Sequence, residues 1–274
     1  MHALFAEPAV QSAIAPLVVG VAVAASLRHR GAEWQALAVS AGLLLAVLLI
    51  VGPQLTPLTA TRKLVLAALV LPLLIALLSS RPRVAWLAAL GGSLAALLWL
   101  LWPVLARVGA AEAAQLAGVP VIGVLLYLLP SRLLAARPAR LAGAGMAAGL
   151  GTGLACILGA TALYAQLAFA VAAAFSGPIL VWLWRRGLPP ANTSLPLFCS
   201  VIIPLALLGA AATVYASLPP VSLLALGLIP WASLLPLWRG HAALWQGLTA
   251  FGLGLLPAVL AIGLAWEAGG GPMY

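Results

Sequence analysis

Polar side chains within the long apolar stretches are the first candidates for chemistry in this sequence. Ser93, Trp231 and Ser233 fall near the middle of such stretches, and their two hydroxyls and one indole could hydrogen-bond a neutral solute. Serine hydroxyls in membrane helices commonly bond to the preceding turn of their own helix instead. We therefore predict a substrate site at these three residues only if the protein is a transporter, and a packing role otherwise.

Residues that could perform catalysis or bind a metal are scarce. The chain has four acidic residues, all glutamate, and three histidines, His2, His29 and His241, at predicted span ends or in loops. Haem ligation needs histidine at membrane depth, and metal-assisted chemistry needs clustered carboxylates or histidines. Intramembrane proteolysis by serine also needs a base beside the nucleophile. We predict no catalytic residue, no metal, no cofactor, and a protein that is not an enzyme.

Ion-coupled transport is the next chemistry to weigh. Proton and sodium coupling usually leave an ionisable side chain within the membrane. Every charged residue here is expected at a span end or in a loop, including Arg140. Coupling through a carboxylate is therefore not expected, whereas sodium binding by hydroxyls and unwound carbonyls stays open.

The elements that would position these residues are apolar helices. Of 274 residues, 65% are hydrophobic and 6% are charged, against about 25% charged in a soluble domain, so a water-soluble fold is excluded. About 20 apolar residues cross a bilayer as a helix, so we predict an all-α polytopic membrane bundle. Its ten predicted spans lie near residues 8–27, 34–51, 64–80, 84–104, 116–130, 141–162, 165–184, 199–217, 221–238 and 244–266.

The sixth span, 141–162, is predicted to be the central and most crowded helix. Gly145, Gly149 and Gly153 recur at every fourth residue, and a second line of small residues beside them includes Gly159. Small residues allow neighbouring backbones to approach where lipid gives helices no hydrophobic drive to associate. We predict that these four glycines are helix-packing positions.

The division between the sixth and seventh spans is the least marked in the sequence. Residues 141–184 carry no charge, and a stretch of that length is too long for a single crossing. We expect a tight turn near Tyr164–Gln166, with Gln166 in a capping role.

The distribution of basic residues predicts the orientation. If the N-terminus lies outside, ten of the thirteen Lys and Arg residues fall in inner loops, as the positive-inside rule requires. Only Arg62, Lys63 and Arg107 fall outside. The pattern predicts a multi-pass protein of a bacterial inner membrane, with both termini on the periplasmic side.

The chain is predicted to form one membrane domain, 1–274, with a division into 1–140 and 141–274 as a weaker alternative. Two halves of five spans would be inverted repeats, an arrangement that builds midplane sites in transporters. The fourth span would then correspond to the ninth, and both would be weakened near mid-membrane, by Gly91–Gly92 and by Gly227 with Pro230. Ser93 would in that case face Trp231 and Ser233.

Two functions remain open. The first is a non-catalytic subunit or scaffold of an inner-membrane assembly, because cofactor-binding and ionisable residues are missing and the loops are short. The alternative is a small permease or flippase for a neutral or hydrophobic solute. The expected partners are the lipid bilayer and other membrane subunits or further copies of the chain. Despite a net charge of +9, no nucleic-acid partner is expected, because the arginines sit between apolar runs.

Overall fold

The computed structural model describes residues 7–30, 32–54, 56, 58–185, 194–235 and 242–269. Within these ranges the chain is helical and contains no strand. Of the ten basic residues predicted in inner loops, Arg186 and Arg239 lie outside the described ranges, as do His2, His241 and both termini.

A helix occupies each of the ten predicted stretches. The helices are α1 (Ala15–Ser26), α2 (Ala36–Ile50), α3 (Ala60–Leu77), α4 (Pro82–Leu105), α5 (Ala110–Leu128), α6 (Pro138–Gly159), α7 (Ala162–Arg185), α8 (Leu195–Tyr215), α9 (Pro220–Gly227) and α10 (Ala243–Ala268). Shorter pieces adjoin them: a π-helical turn at Val10–Ile14, a 3-10 turn at Ala32–Gln35, and short helices at Ser131–Ala135 and Ile229–Ala232.

Seven of these helices are long and apolar enough to cross a membrane: α3 to α8 and α10. Each has at least 18 residues, which at about 1.5 Å per residue approaches the thickness of the hydrocarbon core. The other three apolar segments, Val10–Ser26, Ala36–Ile50 and Pro220–Ala232, are shorter. The fold is therefore that of a multi-pass, all-α membrane protein.

Helix α8, and not α6, occupies the centre of the bundle. Every residue from Leu195 to Ala212 is buried, and α8 packs against α2 to α7 and against α9. In the most apolar stretch of each helix, 89% of α8 is buried and 67% of α6. The prediction of a central sixth helix is thus wrong. Large apolar side chains can face either protein or lipid, so the Leu- and Ile-rich sequence of α8 carries no sign of its position.

The turn between α6 and α7 lies at residues 160–161, earlier than the predicted Tyr164–Gln166. Thr161 precedes α7, and its Oγ1 accepts a hydrogen bond from the Tyr164 amide at 3.4 Å, which caps the helix. Gln166 lies within α7 and does not cap it. Thr161, which follows the small residue Ala160, therefore marks this turn in the sequence better than Gln166 does.

The two helices expected to be weakened near mid-membrane differ. The ninth is interrupted at Leu228, between Pro220–Gly227 and Ile229–Ala232, as Gly227 and Pro230 predict. The fourth, in contrast, runs unbroken through Gly91 and Gly92. Helices α3, α5, α7, α8 and α10 likewise continue through their internal prolines.

Candidate functional site

Trp231 and Ser233 follow α9, and their polar atoms bond to neighbouring helices. Trp231 Nε1 donates to Leu126 O of α5 at 2.9 Å. Ser233 Oγ lies 2.9 Å from Ala250 O of α10 and 3.0 Å from Ile229 O, so its single proton can reach either carbonyl. These bonds connect the end of α9 to α5 and to α10.

Ser93 lies on α4, away from the segment that carries the other two residues. It is fully buried, and its Oγ has no hydrogen-bond partner among the described residues. Helix α4 packs mainly against α3, α5 and α8, whereas α9 packs mainly against α5 and α10. Trp231 and Ser233 are thus neighbours in the sequence, but their polar atoms bond to different helices, α5 and α10, and Ser93 lies on a third. The three residues are not brought into one site.

Arg140 joins this region from α6. It was expected in an inner loop, but it lies in the first turn of α6 and is only 5% exposed. Its Nη1 donates to the carbonyls that end the α9 segment, at 2.6 Å to Leu235 O and 3.1 Å to Leu234 O. A cation at a helix C-terminus satisfies otherwise unpaired carbonyls and opposes the helix dipole. The positive-inside rule counts a basic residue near a loop in the same way whether its side chain is exposed or buried. The sequence therefore could not reveal that Arg140 is buried against these carbonyls.

One line of glycines on α6 faces α7. A Cβ added at Gly145 would lie 2.5 Å from the ring of Phe175, and one at Gly149 would lie 2.6 Å from Ala172 Cβ. A Cβ at Gly153 would overlap the ring of Phe169. A larger residue at Gly149 would have to displace the backbone of α7, whereas at Gly145 and Gly153 the two phenylalanine rings would have to move.

The second line of small residues on α6 faces α10. A Cβ at Gly151 would lie 2.8 Å from Ala258 Cβ, and one at Gly159 would lie 3.0 Å from Ala265 Cβ. The residue numbers of the paired positions increase in the same direction along both helices, so α6 and α10 run parallel. Helix α6 is therefore held closely on two faces, by α7 and by α10.

A buried polar pair links α5 to α6. The Tyr127 hydroxyl lies 2.9 Å from Thr152 Oγ1, and both residues are fully buried. Sequence reasoning did not single out Tyr127. Tyr127 lies three residues from the predicted end of the fifth span, where tyrosine commonly occupies the interface, so no sequence signal pointed to the buried pair.

An apolar cavity of about 520 Å³ lies where α6, α7 and α10 meet at one end of the bundle. It is lined by residues of 139–146 on α6, 179–183 on α7 and 243–251 on α10. Small residues such as Ala142 and Gly247 leave the space, and larger ones such as Ile179 and Leu248 surround it. Its volume falls within the range of about 300–1,000 Å³ that is usual for ligand pockets.

The described polar side-chain atoms around this cavity are already bonded. Trp182 is the residue of the lining that carries a side-chain nitrogen, and this Nε1 donates to Gln35 Oε1 of the turn before α2 at 2.6 Å. Ser176 Oγ, which lies beside the lining residue Met146, has Ala172 O at 3.0 Å and Met146 Sδ at 3.4 Å. The cavity can therefore hold an apolar group, and among the described residues its lining presents no side chain suited to proton transfer or to nucleophilic attack.

The remaining observations add no catalytic constellation. Across the described part of the chain, no three His, Cys, Asp or Glu side chains lie close enough together to hold a metal ion. The sequence matches no protein-family model and no curated protein.

Proposed function

We propose that this protein is a non-catalytic integral membrane subunit or scaffold of a bacterial inner-membrane assembly. The observation that carries the proposal is α8: 18 consecutive buried residues fill the centre of the bundle, where a permease would need a passage. The polar groups of Trp231, Ser233 and Arg140 support it further, because they bond to carbonyls of neighbouring segments. A densely packed bundle whose segments are joined by such bonds is suited to holding partners in place.

We also propose that the chain crosses the membrane ten times. If all ten segments alternate in direction, the ends of α1 and α7 lie on one side of the membrane, and the ends of α4 and α8 lie on the other. Two contacts support this: Arg185 Nη1 on α7 lies 2.7 Å from Arg28 O after α1, and the Tyr215 hydroxyl on α8 lies 2.7 Å from Leu100 O on α4. The parallel alignment of α6 and α10 requires an odd number of crossings between them, in agreement with α7, α8 and α9.

We further propose that the N-terminus lies outside, and cysteine labelling in intact cells tests this orientation. The native Cys156 and Cys199 are both buried, so a membrane-impermeant maleimide should give a low background. We expect Arg107→Cys, between α4 and α5, to be labelled from outside, and Ser80→Cys, between α3 and α4, to be labelled only after the cells are opened. The reverse pattern would invert the proposed orientation.

The scaffold role is tested by mild extraction through a C-terminal tag, followed by native mass spectrometry. Stoichiometric membrane subunits should accompany the chain, and they should be lost when the extraction is repeated under stringent detergent conditions. Recovery of a stable, solitary chain under the mildest conditions would contradict the proposal.

A second candidate, a permease or flippase for a neutral or hydrophobic solute, is favoured by the apolar cavity between α6, α7 and α10. In this function the cavity would be the binding site and the bundle would have to open around α8. Reconstituted vesicles should then show flux of a hydrophobic solute or lipid analogue that protein-free vesicles lack. Variants at Ser93, Trp231 and Ser233 would show whether those residues line the route.

A further inference from the structure

The cavity between α6, α7 and α10 opens at a basic end of the bundle. Ala139, which lines it, comes two residues after Arg137, and Leu183, which also lines it, comes two residues before Arg185. Both arginines are exposed. Arg185 donates to Arg28 O, but a guanidinium has five N–H donors, so the bond leaves donors for another acceptor.

Two helix N-termini lie at the same end. Because α6 and α10 run parallel, Pro138 and Ala243 begin their helices together beside the cavity, and no described side chain caps either helix. The N-terminus of a helix carries partial positive charge and unpaired amide donors, which favour an anion. The electrostatics of this end therefore complement a negative group placed next to an apolar space.

The cavity is also accessible from the surrounding bilayer. Leu183, Leu244 and Leu248 line it and are about half exposed, at 54%, 56% and 49%. In a membrane, the apolar molecules that reach such an opening are lipid chains. Basic sites between membrane helices on the cytoplasmic side are suited to anionic lipid head groups.

We propose that this cavity holds one acyl chain of an anionic phospholipid, whose phosphate lies beside Arg137 and Arg185. The lining supplies the apolar surface for the chain, and the arginines with the two helix N-termini supply the preference for negative charge. The inference goes beyond the scaffold proposal and does not depend on it, because the lipid would bind whether or not partner subunits are present.

Native mass spectrometry of the full, delipidated chain tests the site with two lipids that share the same acyl chains. Dioleoyl phosphatidylglycerol should bind at the first site about 25-fold more tightly than dioleoyl phosphatidylcholine, if each arginine contributes about fivefold. Equal first-site affinities for the two lipids in the wild-type chain would overturn the proposal, and this comparison needs no variant to fold.

Paired variants separate the head-group site from the chain site. Arg137→Gln with Arg185→Gln should reduce phosphatidylglycerol affinity to the phosphatidylcholine level, while Arg83→Gln, exposed at the start of α4, should leave it unchanged. An equal loss in Arg83→Gln would mean that general surface charge attracts the lipid, which would overturn the assignment to this cavity.

Filling the cavity tests the acyl-chain position. Ala142→Phe should weaken first-site binding of both lipids by tenfold or more, and Ala243→Phe at the exposed edge should act in the same direction. Ala95→Phe, exposed on α4, is the matched control and should bind as the wild type does. Wild-type binding by both filling variants would overturn the proposal.

Discussion

Helices α8 and α10 are both strongly apolar, yet they occupy opposite environments. In their most apolar stretches, 89% of α8 is buried and 28% of α10. One face of α10 packs against α6 through small residues such as Gly254 and Ala258, while large side chains such as Leu256 point outward. Lipid and protein interior are similarly apolar, so the two helices differ in what surrounds them and not in their hydrophobicity.

The largest expected effect comes from removing matched leucine side chains from the two helices. Leu205 on α8 is fully buried, and Leu256 on α10 is 67% exposed. We expect Leu205→Ala to lower the free energy of unfolding by about 2–5 kcal/mol, because the packed core cannot fill the cavity that is left. Leu256→Ala should change it by less than about 0.5 kcal/mol, because lipid or detergent chains fill the gap.

Detergent-induced unfolding, followed by circular dichroism in SDS titrations, measures both variants. Similar losses for Leu205→Ala and Leu256→Ala would mean that α10 is covered by protein in the assembly being measured. Similar small effects would mean that the centre of the bundle is looser than the burial of α8 indicates.

An intermediate effect is expected from enlarging a glycine on the packed face of α6. A Cβ at Gly149 would lie 2.6 Å from Ala172 Cβ and 3.2 Å from Ala172 Cα, so Gly149→Leu must push α7 away. We expect Gly149→Leu to lower the free energy of unfolding by about 1–3 kcal/mol, as is usual for overpacking. The matched control is Gly252→Leu on α10, where an added Cβ has nothing within 4 Å. Thermal aggregation in mild detergent measures the pair, and unchanged stability of Gly149→Leu would contradict the tight α6–α7 contact.

Much of the helical content could be predicted because crossing a bilayer leaves a simple pattern. A run of about 20 apolar residues is needed for each span, and charges mark the breaks. All ten predicted stretches contain a helix, and the break between α9 and the short helix Ile229–Ala232 follows from Gly227 and Pro230. The number of crossings and the orientation remain predictions.

The arrangement of the helices could not be predicted, for physical reasons that particular residues illustrate. Glycine spacing marked α6 as closely packed, but close packing of small residues does not make a helix central, and α8 with its large side chains fills the centre. The charge of Arg140 predicted a position in a loop, although the side chain is buried against the carbonyls that follow α9. The cavity depends on how α6, α7 and α10 diverge, which no local pattern records.

The smallest expected effect concerns hydroxyl groups in the two environments. Thr152 on α6 bonds across to Tyr127 in the buried interior, whereas Thr249 on α10 lies 2.8 Å from Trp245 O in its own helix. A bond between helices is lost when Thr152→Val is made, and we expect a coupling with Tyr127→Phe of about 0.6 kcal/mol, at most about 1.7. Thr249→Val should leave the free energy of unfolding nearly unchanged. The Trp245 carbonyl loses the hydroxyl but keeps its backbone hydrogen bond within α10. A double-mutant cycle on Tyr127 and Thr152 measures the coupling, and a value of zero would show that the buried pair adds nothing beyond the packing of α5 against α6.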